Sequence, residues 1–149
     1  MEKINLYKNL ELEKYFWGGV LKYNFINIDI RKDAINFLDM ICMEEGLIPL
    51  NTNWHEVTYN DFEEMLHSAL QFDLGFTACE IMPVDKAESY YHIFIDGFDI
   101  QKTRCFTNWS NNPWKGPSGG NKISIHTLDC ALAMMNKDKL LFVYVLFED

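Results

Sequence analysis

The feature that most constrains the fold is a run of eight apolar residues near the end of the chain, residues 140–147 (Leu-Leu-Phe-Val-Tyr-Val-Leu-Phe). The run is far shorter than the roughly 20 residues with which a helix crosses a bilayer. A strand with one face in water alternates apolar and polar side chains, and this run does not alternate. It therefore predicts a strand that is covered on both faces, at the centre of a sheet.

Two segments predict amphipathic helices that could cover such a strand. The first begins at Asp29, whose side chain can cap a helix, and ends near Glu45, before a glycine suited to the left-handed stop. The second follows Tyr59, where Asn60 and Glu63 resemble a capping box. Its apolar side chains recur at helical spacing, and they are Phe62, Met65, Leu66, Ala69 and Leu70.

The other elements are predicted from β-branched and aromatic content or from helical spacing. The expected strands cover residues 20–28, 74–82, 90–95 and 98–106. Asp96-Gly97 is a two-residue hairpin signal, so the last two of these strands predict an antiparallel pair. Further helices are expected over residues 5–16, where Gly18-Gly19 ends the helix, and after Ser124. The last helix is expected to bury Ile125, Leu128, Ala131, Leu132 and Met135.

Together these elements predict an α+β fold. We expect a mixed, largely antiparallel sheet with a buried C-terminal strand, flanked by three to four helices. No repeat, low-complexity tract or polar linker divides the 149 residues, so we expect one domain over residues 1–149. The first residues lack the basic start, apolar run and cleavage site of a signal peptide, which favours a cytoplasmic location.

The predicted last helix also carries the one group of residues with catalytic possibilities. On a helix, His126, Asp129 and Cys130 would share a face, so that an imidazole could contact a thiol. A cysteine enzyme would also need a group that orients the base, and an oxyanion site, and the sequence indicates neither. We therefore expect that Cys130 packs in the core, and that the protein is not an enzyme.

Cofactor and metal sites are not indicated either. The glycine-rich residues 116–122 have too short a spacing for a phosphate-binding loop, and Ile123 follows Lys122 where serine or threonine is required. His55 and Glu56 are adjacent polar residues in a predicted loop, and neighbours in sequence rarely converge on one ion. We expect no cofactor and no metal.

The charge distribution carries the strongest functional signal. The formal net charge is −9, and no Lys or Arg occurs between Asp33 and Asp85, a segment that contains eleven Asp and Glu residues. Ordinary surfaces intersperse the two signs of charge. Binding to nucleic acid requires a basic patch, so this class of partner is excluded. The acidic segment favours a basic protein as the partner, although acids in the first turn of a helix also stabilise that helix.

Seven residues of this segment are predicted to contact the partner. Trp54 stands in a polar loop between the two helices, where a partly exposed indole would suit an interface. The alternative is that this side chain folds into the core. The complete set is Glu44, Glu45, Trp54, Glu56, Asp61, Glu63 and Glu64.

In this respect the chain resembles the immunity proteins with which bacteria neutralise nuclease toxins. The resemblance rests on small size, the absence of catalytic motifs, and the acidic residues Glu44, Glu45, Glu56, Asp61, Glu63 and Glu64. It implies a protein-binding inhibitor whose partner is a cognate toxin, without contact to nucleic acid or membrane. It also implies an electrostatically steered complex in which carboxylates meet a cationic surface.

A second candidate site is the loop from Asn108 to Lys122. A loop of about fifteen residues without its own secondary structure is often functional. Because it carries Trp109, Trp114 and two lysines, it could enclose a small ligand or a peptide. The alternative function is therefore a ligand-binding or regulatory domain, and the alternative structure is a loop that is simply packed.

Overall fold

The centre of the computed structural model, which describes residues 1–148, is a six-stranded sheet with the strand order β1-β2-β6-β5-β4-β3. Every pair of neighbouring strands is antiparallel. The strands are β1 (Glu2–Asn5), β2 (Trp17–Asn24), β3 (His55–Val57), β4 (Arg104–Thr107), β5 (Leu128–Met135) and β6 (Lys139–Phe147). The α+β fold class is confirmed, and the sheet is antiparallel throughout the described residues instead of mixed.

Helices cover both faces of this sheet. They are α1 (Leu6–Asn9), α2 (Ile30–Glu44), α3 (Tyr59–Gln71) and α4 (Val84–Ile95), with single 3-10 turns at Leu12–Lys14, Asn51–Asn53 and Ile100–Lys102. The first 3-10 turn, α3 and α4 supply buried side chains to one face of the sheet. Helix α2 and the segment after it supply those of the opposite face.

The prediction for residues 140–147 is confirmed, because β6 lies between β2 and β5 inside the sheet. Leu141 and Val143 join the core on the α3 side, whereas Leu140 and Phe142 join the core on the α2 side. Full burial of a side chain of this size contributes about 1.5–3 kcal/mol, so both faces of the strand favour apolar residues. The alternation of an amphipathic strand is therefore absent.

The two amphipathic helices also form where they were predicted. The Asp29 side chain accepts a hydrogen bond from the Arg31 amide at 3.0 Å, and Gly46 adopts a left-handed φ of +72° after the end of α2. Helix α3 begins two residues earlier than a capping box at Asn60 would require. Its cap is Thr58, whose hydroxyl accepts from the Asp61 amide at 3.2 Å.

The predicted strand at residues 90–95 is wrong, because this segment is the second half of α4. Ala87, Tyr91 and Phe94 are buried at spacings of four and three residues, which is the spacing of one helical face. Tyrosine, isoleucine and phenylalanine favour strands by composition, but packing on the sheet decides the outcome. The hairpin at Asp96-Gly97 is wrong for the same reason: Gly97, at a φ of +86°, follows the end of a helix.

The predicted last helix is also wrong, because its residues form strand β5. This strand has buried side chains on both faces, so it lacks the alternation by which a strand is recognised. Its alanines, leucines and methionines are strong helix formers, which explains the error. Ser124 caps no helix; its hydroxyl donates to Asp129 at 2.6 Å.

Two further segments differ from the sequence-based expectation. Residues 74–82 form turns, with one isolated bridge from Glu80 to Phe72, because Asp73 accepts hydrogen bonds from the two amides that follow Leu74. The helix predicted over residues 5–16 is replaced by the end of β1 at Asn5, the short helix α1 and one 3-10 turn, and Gly18-Gly19 lies within β2.

Candidate functional site

The acidic segment is continuous in sequence but occupies two separate surfaces. Helix α2 packs on one face of the sheet and α3 on the other. Glu44 and Glu45 therefore lie at the end of α2, while Asp61, Glu63 and Glu64 lie at the start of α3 behind the opposite face.

The two carboxylates at the end of α2 are bound to the sheet. Glu45 accepts a hydrogen bond from the Tyr144 hydroxyl at 3.2 Å and pairs with the Lys3 ammonium at 3.0 Å. Glu44 accepts from the Tyr23 hydroxyl at 3.3 Å. Burial raises the pKa of both phenols, and the adjacent carboxylates raise it further, so the hydroxyls remain protonated donors.

Glu56 is similarly engaged. Its two oxygens accept from the guanidinium of Arg104 at 2.7 and 2.9 Å, and this contact lowers the pKa of the carboxyl. Arg104 also donates to the carbonyl of Ile30, so the pair connects edge strand β3 with the start of α2. A base from outside the acidic segment thus balances a charge that looks unbalanced in the sequence.

The start of α3 is the part of the segment that presents exposed carboxylates. Asp61 is exposed and forms no ion pair within residues 1–148. Glu64 pairs with Lys115 at 3.3 Å, and both side chains are more than half exposed. An exposed pair of this kind contributes about 0–1 kcal/mol, so it can exchange for another partner at little cost.

Glu63 lies on the inner side of this surface. It is partly buried beside the hydroxyls of Tyr59 and Tyr91, which contact each other. Burial raises the pKa of both phenols, and the charge of Glu63 contributes in the same direction. Glu63 therefore supports the packing of α3 against α4.

Helix α4 extends the negative surface of α3. The ring of His67 on α3 packs against Tyr91 on α4, with ring centroids 4.1 Å apart, so the two helices are neighbours. From residue 59 to residue 95 the sequence contains a single Lys or Arg, Lys86, whose ammonium lies over the Tyr15 ring. His67 and His92 both contact the carboxylate of Glu88. The seven acids of the same stretch are Asp61, Glu63, Glu64, Asp73, Glu80, Asp85 and Glu88.

Trp54 lies in the core, so its interpretation as a partly exposed interface residue is wrong. Only 6% of its surface is exposed, and its indole nitrogen donates to Asp39 at 2.9 Å. Asp39 also accepts from the amides of Leu50 and Asn51, which folds the loop onto α2. The alternative, a loop residue folded into the core, is confirmed.

The two tryptophans of the 108–122 loop are used in packing. The Trp109 indole donates to the carbonyl of Asp129 at 2.8 Å, and the Trp114 indole donates to the carbonyl of Phe72 at 3.3 Å. Asn108 is buried and donates to the Asp129 carboxylate at 2.9 Å. These contacts attach the loop to the sheet and to α3, and none of them favours a ligand site.

The predicted contact between His126 and Cys130 does not form, because the helix that would align them is absent. Cys130 is 1% exposed on β5, and burial raises the pKa of its thiol. His126 precedes β5 and contacts Glu148 and the Trp17 ring.

The four thiols are expected to differ sharply in reactivity. Burial raises the pKa of Cys42 and of Cys105 to about 12. Burial also raises the pKa of Cys130, whereas Cys79 is exposed. Because the thiolate is the reacting form, Ellman's reagent at neutral pH should modify one thiol rapidly. The other three should react only as fast as the protein unfolds. A fast phase that persists in Cys79→Ser would contradict the buried positions.

Sequence analysis missed a group of exposed apolar side chains at one end of the sheet. They border a groove of about 350 Å³ whose lining includes Glu45, Ile48, His126 and Tyr144. Ile125, which was expected to be buried, lines this groove and is 96% exposed. No periodic pattern marks these residues, because they come from loops and strand ends that are distant in sequence.

Within residues 1–148, no three His, Cys, Asp or Glu side chains are grouped so that they could hold a metal ion. None of the helices in that range has the length and apolar character needed to cross a membrane. Comparison with protein-family models, with curated proteins and with solved structures found no match to this chain.

Proposed function

We propose that this protein is an inhibitor that binds a basic partner through its acidic surface, and that the partner is a bacterial toxin of the nuclease type. The observation that carries the proposal is the charge of residues 59–95, the stretch that contains α3 and α4 and in which seven acids occur with a single lysine. Surfaces without such a role usually mix the two signs.

The exposed carboxylates at the start of α3 suit this function. Within residues 1–148 Asp61 forms no ion pair, and the exposed Glu64 can exchange Lys115 for a cation of the partner. A surface of one sign accelerates the encounter with a partner of the opposite sign. A nuclease must bind phosphates through a cationic site, and carboxylates on a rigid helix can occupy such a site in their place.

The other acids of the predicted set have a different part in the proposal. Glu44, Glu45 and Glu56 are already bound by Tyr23, Tyr144 and Arg104. They contribute to the negative field of the molecule and less to direct contacts. We therefore place the direct contacts at Asp61 and Glu64.

The test uses the product of the reading frame immediately upstream of the one that encodes this chain. We expect that this product degrades nucleic acid, and that the purified chain abolishes the activity. In stopped flow, the double variant Asp61→Lys/Glu64→Lys should associate about tenfold more slowly than the unmodified chain at about 20 mM salt. The difference should shrink at about 500 mM salt, because salt screens exposed charges.

A matched control is the double variant Glu2→Lys/Glu13→Lys, which changes the net charge equally at two other exposed acids. It should slow association much less, because it leaves the α3 surface intact. Equal slowing by both double variants would refute the assignment to α3. An upstream product without nuclease activity, or one that the chain does not bind, would refute the proposed function.

A further inference from the structure

We infer that the basic partner inserts an apolar side chain, flanked by lysine or arginine, into the exposed surface around Trp17. That the partner is basic is taken from the proposed function, and this inference rests on it. We call this surface the Trp17 strip and define it by the apolar residues Trp17, Ile48 and Ile125 together with the carboxylates of Glu45, Asp73 and Glu148.

The strip consists of two adjoining depressions at one end of the sheet. The first is the groove of about 350 Å³, with Ile48 and Ile125 on its walls. The second, of about 240 Å³, lies beside Trp17 and reaches Asp73. Both depressions include Leu146 in their lining, so they adjoin near the end of β6.

The apolar side chains of the strip are unusually exposed. Trp17 is 59% exposed, Ile125 96% and Ile48 45%. Scattered single apolar residues on a surface are normal. Here Ile48 and Ile125 line the first depression and Trp17 lines the adjoining one, so the three lie close together. Tryptophan is enriched at the centre of protein interfaces, where a few residues supply most of the binding energy. An exposed Trp17 next to a groove with aliphatic walls is typical of such a centre.

Two carboxylates of the strip, those of Glu45 and Glu148, are held in position by neighbouring side chains. The Tyr144 hydroxyl and Lys3 fix the Glu45 carboxylate in the groove wall. At the other rim, the carboxylate of Glu148 contacts His126 and accepts from the Thr127 hydroxyl at 2.9 Å. Hydrogen bonds from these two residues lower the pKa of Glu148, so this carboxyl is ionised at neutral pH.

The lysines near the strip are already matched by carboxylates. Lys3 pairs with Glu45. Lys122 donates to the carbonyls of His126 and Thr127, and its ammonium lies 3.9 Å from the buried carboxylate of Asp129.

Because these lysines are matched, the negative charges that remain beside Trp17 are those of Glu148 and Asp73, which line the same depression. Asp73 accepts only backbone amides, those of Gly75 and Phe76. A largely apolar depression lined by two such carboxylates complements a segment in which an aliphatic or aromatic side chain has basic neighbours.

The strip is distinct from the start of α3. Helix α3 has thirteen residues and spans about 20 Å, with Asp61 in its first turn and Asp73 just beyond its last. The two surfaces therefore have different roles in binding. The start of α3 accelerates association with the partner, and the Trp17 strip slows dissociation.

The test is a titration of the labelled chain, followed by ¹H–¹⁵N spectra, with an amidated peptide in which arginine alternates with leucine. We expect the indole signal of Trp17 and the amides of Gly18, Gly46 and Ile125 to shift. Peptides with leucine replaced by serine, or arginine replaced by glutamate, should leave these signals unchanged. Trp17→Phe identifies the indole signal by its loss.

Two isoleucines provide a matched pair of variants. Ile125 in the strip and Ile26 outside it are 96% and 90% exposed, so neither substitution should affect folding. Ile125→Ser should weaken binding of the arginine-leucine peptide about fivefold, because an aliphatic side chain that the peptide would cover is lost. Ile26→Ser should leave the affinity unchanged.

Three outcomes would overturn the inference. These are shifts confined to Asp61 and Glu64, an equal response to the arginine-serine peptide, or a change of the Trp17 signal with protein concentration alone, which would indicate a second copy as the occupant. The peptides do not depend on the upstream product. Failure of that product to bind would therefore refute the proposed function separately, and a positive peptide titration would still establish the strip.

Discussion

Replacing Asp129 with alanine is expected to lower the free energy of unfolding by about 3–5 kcal/mol, because several buried hydrogen bonds to its carboxylate are lost together. This carboxylate is 2% exposed. It accepts hydrogen bonds from the Asn108 amide at 2.9 Å, the Ser124 hydroxyl at 2.6 Å and the Ile123 backbone amide at 3.2 Å. Alanine would leave the Ser124 hydroxyl and the Ile123 amide without this acceptor, at about 1–3 kcal/mol each, and would remove one of the two hydrogen bonds that the Asn108 side-chain amide donates.

Urea denaturation measures this loss, and Asp61→Ala is the matched control. Asp61 is an exposed acid in the first turn of a helix, so its removal should cost no more than about 1 kcal/mol. The Asp129 network also attaches the 108–122 loop to β5, and hydrogen exchange of the Trp109 and Ser110 amides should therefore accelerate in Asp129→Ala. Similar stability losses in the two variants would show that the network contributes little.

Gly18→Ala is the second variant with a large expected effect, a loss of about 3 kcal/mol or more. Gly18 has a φ of +141°, and a Cβ atom there would lie 1.9 Å from the carbonyl oxygen of Tyr144 on β6. The obstacle is backbone in the centre of the sheet, so it cannot move aside as a flexible side chain would. Overpacking and an unfavourable backbone conformation each cost about 1–3 kcal/mol.

Gly46→Ala separates these two contributions. Gly46 also has a positive φ, +72°, but a Cβ atom there would meet nothing within 4 Å. Its substitution should cost only the strain of the left-handed conformation, about 1–2 kcal/mol. Thermal and urea denaturation of both variants would test the difference, and equal losses would contradict the close approach of β2 to β6.

Sequence patterns identified the elements whose signals are local. Asp29 and Gly46 delimit α2, the apolar stripe of α3 has helical spacing, and residues 140–147 predict a central strand. The patterns failed for α4 and β5. The side chains of α4 favour strands by type, and β5 is covered on both faces, which removes the period of two.

The candidate site could be predicted only in part. Asp61 and Glu64 are exposed on α3 as their helical positions imply. Trp54 and the tryptophans of the 108–122 loop were identified as candidates, but their indoles donate to Asp39 and to backbone carbonyls, which no sequence pattern indicates. The residues of the Trp17 strip were missed, because the strip exists only where loops and strand ends meet.

By itself, the sequence determined the net charge, the segment without Lys or Arg between Asp33 and Asp85, the central strand and two of the helices. These features depend on composition and on neighbours along the chain. Only the tertiary structure decided which charges remain unbalanced. Arg104 reaches Glu56 across 48 positions, and Lys3 reaches Glu45 across 42. The order of strands in the sheet and the placement of α2 and α3 on opposite faces set these distances. They divide one acidic segment into carboxylates bound to the fold and carboxylates exposed to a partner.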